Sequence, residues 1–96
     1  MNYLNYTYKK LKDAGLTTGF NDFSRRFLMK NESYARTIRA RQKDLPLPSL
    51  IILTARVSQS SQNLLATNVG RELGEELGAL AQELSEHVYK RALSGG

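Results

Sequence analysis

Ninety-six residues, 41% of them hydrophobic, suffice for one small domain whose core can fold alone without much margin. The chain has no cysteine, which excludes a disulfide framework and a thiolate metal site. No apolar run approaches the ~20 residues that span a bilayer, and the N-terminus alternates polar and aromatic residues without an apolar signal core, so a cytoplasmic, nucleoid-associated protein is expected. The net charge of +5 is unevenly placed. Residues 1–57 carry eleven Lys/Arg against Asp13, Asp22, Glu32 and Asp44, whereas residues 58–96 carry Arg71, Lys90 and Arg91 against five Glu. That asymmetry favours a polyanion-binding head, residues 1–58, followed by a separate tail, residues 59–96.

Taken in chain order, Leu4, Tyr8 and Leu11 follow the i, i+4, i+7 spacing of one buried helix face and predict a first helix over 2–14. Gly15 supplies a left-handed cap, with Leu16 placed to fold back on the last turn. After a loop over 17–20, a second helix starts behind Asn21 as its cap and buries Phe23, Phe27 and Leu28. Asn31 is the expected cap of a third helix, with Glu32 in its first turn favourable for the dipole. Pro48 opens a fourth helix whose apolar stripe is Leu50, Leu53 and Val57. The stretch Ser58-Gln59-Ser60-Ser61-Gln62 reads as a linker.

Residues 62–93 read as one long helix. Val69, Leu73, Leu77, Leu80, Leu84 and Val88 recur at spacings of four and three, close to a coiled-coil seam. Gly70, Gly74 and Gly78 repeat every four residues beside it. Each glycine costs a helix roughly 1 kcal/mol relative to alanine, so three in register imply the close approach of another backbone. The sequence favours self-association through Gly70, Leu73, Gly74, Leu77, Gly78, Leu80 and Leu84, or docking of a regulatory protein there. The competing reading is that this helix folds back on its own head.

The richest stretch for function is Asn21 to Arg41. Ala35 and Ile38 share one face and can bury, while Arg36, Thr37 and Arg41 point elsewhere, into solvent or a polyanion. Guanidinium and hydroxyl groups on an exposed helix face suit the DNA major groove, where Arg reads guanine bidentately and Ser or Thr bonds several bases. An ordinary solvated basic helix is the plain alternative.

Helix, turn, helix, Pro-rich turn and a further apolar helix over residues 21–57 together resemble the lambda-repressor/Cro-like helix-turn-helix family. The resemblance is carried by Leu28, the polar Asn31 at the turn, Ala35 and Ile38, then by Arg41-Gln42-Lys43-Asp44-Leu45-Pro46-Leu47-Pro48-Ser49-Leu50. Met29 departs from it, standing where the family usually has glycine, and so does Arg25, where a small residue normally lets the helices cross. The resemblance implies that Glu32, Ser33, Arg36, Thr37 and Ala40 face base edges. It places Asn31, Arg39, Arg41 and Lys43 on phosphates, with Arg25 and Arg26 in support and Tyr34 at a sugar, a thymine methyl or the core edge. Phosphate contacts set affinity and its salt dependence, and base-edge contacts set sequence choice.

Catalytic chemistry is not in evidence. His87, the one histidine, stands beside Glu83 and Glu86 without a second ligand of suitable type, so no metal or cofactor is expected. The pairs Glu75/Glu76 and Glu83/Glu86 read as solubilising charge. Gly70 to Gly74 lacks the strand and spacing of a phosphate loop. The serines of 58–61 have no base in view, and the tyrosines near the N-terminus read as core and rim.

The sequence therefore predicts an all-α protein, a four-helix helix-turn-helix head followed by a long C-terminal helix. Its expected role is that of a bacterial or phage transcriptional regulator, a repressor-like homodimer on double-stranded DNA with a palindromic operator. The alternative is a protein-interaction module, antitoxin-like or an anti-activator, with a degenerate helix-turn-helix.

Overall fold

Asn2 starts the first helix, its side-chain oxygen accepting from the Asn5 amide at 3.1 Å, as an N-cap residue does. The computed structural model describes residues 2–95 and contains α1 (Tyr3–Asp13), α2 (Phe20–Arg26), α3 (Tyr34–Ala40), α4 (Leu47–Leu65) and α5 (Arg71–Leu93), with no strand among the described residues. The all-α class and the long C-terminal helix behind shorter ones are as the sequence predicts. Gly15 takes φ +77°, and the Leu16 and Gly15 amides return to the Leu11 and Lys12 carbonyls at 2.9 and 3.0 Å. This is the paired bond pattern of a Schellman cap, and it closes α1 where the sequence placed it.

Two starts differ from expectation. α2 begins at Phe20 with Gly19 as its cap, and Asn21 lies inside the helix. The ring of Phe20 stacks on Tyr8 at 4.0 Å, and Asp22 reaches back to the Thr17 hydroxyl at 2.7 Å and the Thr18 amide at 3.4 Å. These contacts secure the entry to the helix two residues early. Asn31 does not cap α3 directly. Its side chain accepts from the Ser33 amide and hydroxyl at 3.1 and 2.9 Å, ordering the turn ahead of the helix, which begins at Tyr34.

Pro48 sits in the first turn of α4, as its missing N–H allows. The expected linker at 58–62 is helical, and α4 continues to Leu65 before a turn over 66–70. The expected head–tail boundary thus falls inside a helix, and the expected single helix over 62–93 is broken in two. A short connection makes the flanking helices antiparallel neighbours, and α4 and α5 pack along their lengths. Leu4, Leu11, Phe23, Leu28, Ala35, Ile38, Leu50, Leu53, Val57, Leu77, Leu80 and Leu84 belong to one buried cluster, so every helix contributes to the same core.

That hairpin accounts for the tail glycines. A Cβ added at Gly74 would lie 2.9 Å from the Leu65 Cγ and 3.0 Å from the Leu65 backbone nitrogen. A Cβ at Gly78 would meet the Ser61 hydroxyl at 3.1 Å, and one at Gly70 the Thr67 hydroxyl and Leu64 at 2.8–2.9 Å. The Ser61 hydroxyl donates to the Gly74 carbonyl at 2.6 Å. The close approach read from the glycine spacing is real, but the backbone approached is α4 of the same chain. Leu77, Leu80 and Leu84 are buried in the common core, and Leu73 and Val88 are partly buried against it. Val69 is 99% exposed in the turn and leaves the seam.

Candidate nucleic-acid interface

α3 is seven residues long, and the pair α2–α3 is fixed by small groups at their crossing. Ser24, fully buried, donates no side chain bulk to the contact; its hydroxyl accepts from the Ala35 amide at 2.9 Å. The first amides of a helix lack intrahelical partners, and here a neighbouring helix supplies one. Ala35 and Ile38 face inward beside it. The small residue at this crossing is Ser24, next to Arg25 in the chain. Arg25 points outward and pairs with Glu32 across the turn at 3.8 Å.

Met29 takes φ +56°, the left-handed conformation that favours glycine. The turn thus runs through a backbone conformation at Met29 that glycine adopts most readily. It is closed by the Lys30 amide donating to the Ser24 carbonyl at 3.0 Å. At the far end of α3, Gln42 is also left-handed at φ +55°. The Gln42 and Lys43 amides reach the Arg39 and Ile38 carbonyls there at 3.0 and 3.5 Å.

On the outward face, Glu32, Ser33, Arg36, Thr37, Arg39, Ala40, Arg41 and Lys43 are all exposed, as is Asn31 at the turn. They differ in how far their own chain holds them. Arg36 donates to the Asn21 side-chain oxygen, so α2 aims its guanidinium. The Arg39 guanidinium lies over the Phe20 ring at 4.3 Å. The Thr37 hydroxyl donates to the Ser33 carbonyl at 3.0 Å. Arg26 is engaged on the Leu16 carbonyl at 3.0 Å and on Asp22 at 3.4 Å. Arg41 and Lys43 have no side-chain hydrogen bond or ion pair among the described residues. Tyr34 turns inward instead, its hydroxyl bonding Ser49 at 2.8 Å.

Asn21, Ser24 and Phe20 were not singled out as functional by sequence reasoning. Their roles depend on which α3 residue they meet across the turn, and the 15-residue separation of Asn21 and Arg36 has no local sequence signature. Of the tail residues, Gly70, Gly74 and Gly78 lie against α4 and the turn after it, while Leu77, Leu80 and Leu84 are buried in the core with Leu73 packed against it, apart from this surface.

His87 is less bland than its flanking glutamates suggest. It is half-buried, stacks on Tyr3 at 4.1 Å, and holds Nε2 3.9 Å from the Asp44 carboxylate. Asp44 accepts from the Tyr3 and Leu4 amides at 3.1 and 3.2 Å, so it caps α1 from the α3–α4 loop. Burial lowers the His87 pKa from its ordinary 6.5, assisted by Arg91 and Lys90 and opposed by Asp44. No group of three or more metal-ligating side chains occurs among the described residues.

No helix among the described residues is long and apolar enough to cross a membrane. No curated protein and no solved structure matches the chain. The model of a family of unknown function, DUF6626, matches residues 4–94, and the chain belongs to that family.

Proposed function

We propose that the protein is a sequence-specific DNA-binding transcriptional regulator that acts as a homodimer on a palindromic operator. The observation that carries this reading is the two-sidedness of α3: Ala35 and Ile38 are buried against the core, while Arg36, Thr37, Arg39, Ala40 and Arg41 are exposed together on a short helix. Such a helix, steadied by a second one behind it, can enter the major groove and offer its outer side chains to base edges. Arg36, aimed by Asn21, is placed to read a guanine bidentately. Arg41 and Lys43, without side-chain hydrogen bonds or ion pairs among the described residues, suit phosphates, and the basic excess of residues 1–57 steers the approach. Glu32 can accept from a cytosine amine if Arg25 yields it.

The test is a gel shift of the purified protein on the DNA upstream of its own coding sequence, with excess random competitor. A discrete complex that survives competition, and weakens steeply with salt, is expected. Absence of binding to any duplex at low salt would overturn the proposal in favour of a protein-interaction role.

A further inference from the structure

The glycine seam of α5 is closed by α4 at Gly70 and Gly74, but from Gly78 and Ser61 onward the hairpin opens outward. There α4 and α5 leave an open groove of about 700 Å³. Its floor is made of small side chains, among them Ser58, Ala81 and Ser85, and Tyr89 stands at its edge with 67% of its surface exposed. The groove continues past Ser58 and Ser85 to Ile51 and Ala55, and Ile51 is 49% exposed. Gln82, Ser85, Tyr89 and Leu93 follow one another at spacings of three and four along α5, so they share a single helix face. Among the described residues, the large exposed apolar side chains of α4 and α5 are Ile51, Leu65, Tyr89 and Leu93.

We infer that this groove, rather than the glycine seam, is where a second copy of the chain docks, in a two-fold dimer with the two α5 helices antiparallel. The argument for a second copy is charge. The only charged side chains lining the groove are Glu86 and Lys90, exposed, one helical turn apart, and without an ion pair among the described residues. An acid and a base one turn apart on a helix are complementary to the same pair on an antiparallel copy. Across a two-fold axis beside this turn, Glu86 meets the partner's Lys90 and Lys90 meets the partner's Glu86. A closed two-fold interface requires this self-complementarity. The same axis sets Tyr89 over the partner's floor of small side chains at Ser58 and Ser85, a bulky group facing a hollow on both sides. A polyanion does not fit a groove of balanced charge, whereas a copy of this chain with net charge +5 can approach here without meeting an unmatched positive patch.

The inference deepens the proposed DNA reading by giving the dimer its surface, but its test needs no DNA. Sedimentation of the full chain over a range of concentrations should show a monomer–dimer equilibrium. Glu86→Lys and Lys90→Glu should each weaken the dimer on the order of tenfold, since two cross-pairs turn from attractive to repulsive. The double variant Glu86→Lys/Lys90→Glu should restore it, which loss of folding could not mimic. Ser85→Arg should abolish the dimer by filling the floor, with unchanged helical circular dichroism, while Val69→Glu, on the turn away from the groove, should leave it intact. A wild-type chain that is monomeric at every concentration, or a double swap no better than the single ones, would overturn the inference. A dimer that behaves as expected but binds no duplex would instead remove the DNA reading and leave this surface standing.

Discussion

Arg36 and Lys43 are both exposed cations at the outer face of α3 and its C-terminal turn, yet they are held differently. Arg36 is steadied by Asn21, and the Lys43 side chain has no hydrogen bond or ion pair among the described residues. In the DNA reading, Arg36→Ala lowers specific affinity by ~1–3 kcal/mol and relaxes preference at one base pair, as loss of a bidentate contact does. Lys43→Ala weakens specific and random DNA alike and flattens the salt dependence. Titrations of both variants on operator and random duplexes separate the two; identical behaviour would refute the division of labour. Met29 offers a test of the turn itself. An L side chain in the left-handed region costs roughly 1 kcal/mol, and Met29 is 59% exposed, so little packing holds it there. Met29→Gly should raise the melting temperature slightly and leave DNA binding unaltered, whereas a fall would mean that its side chain packs more than its exposure indicates. The sequence marked this position only as a departure from a family pattern. It took the backbone angle to show that Met29 adopts a left-handed conformation there.

At the scale of elements, the apolar faces were readable and their partners were not. Leu77, Leu80 and Leu84 are buried as their spacing requires, because an amphipathic pattern states that a face is covered. It does not state by what, and here the cover is the core to which every helix of the same chain contributes. The error lay in Ser58 to Gln62, whose composition suggests a loop. Within a hairpin the same residues are useful for being small: Ser61 is buried, bonds the Gly74 carbonyl at 2.6 Å, and lets the helices close. Ser24 was passed over for a related reason, since it is polar by type but buried, where its hydroxyl accepts from the Ala35 amide. A prediction follows for Gly74. Alanine is the better helix former by roughly 1 kcal/mol, but its Cβ would sit 3.0 Å from the Leu65 backbone nitrogen, which cannot yield as a side-chain tip can. Forcing the helices apart costs typically 1–3 kcal/mol, so Gly74→Ala should lower stability in chemical denaturation. A stabilised variant would show that α4 and α5 are not so closely set in solution.

Across the whole molecule, the Asp44–His87–Tyr3 contact joins elements far apart in sequence. Asp44 caps α1 from the α3–α4 loop, His87 brings α5 onto both, and Arg91 donates to the Leu45 carbonyl next to Asp44. None of this was legible beforehand, because each partner lies more than forty residues from the next along the chain and a lone histidine among glutamates has no periodic signature. Its consequence is a pH dependence of folding. Burial, with help from Arg91 and Lys90, holds the folded imidazole below its ordinary 6.5 against the pull of Asp44, so the unfolded chain takes up a proton that the folded one resists. Stability from neutral His87 is therefore complete above pH 6.5 and is lost as pH falls through the lower folded value. Asp22 adds a separate loss in stronger acid. Burial raises its pKa, but hydrogen bonds from Thr17 and the Thr18 amide, with Arg26 beside it, bring the balance below 3.8. Melting temperatures measured from neutral to mildly acidic pH should thus decline through the imidazole range before any carboxylate titrates. His87→Phe keeps a ring to stack on Tyr3 and removes the proton site, so its decline should begin only in the carboxylate range. An unchanged slope in that variant would show that His87 is not the group responsible.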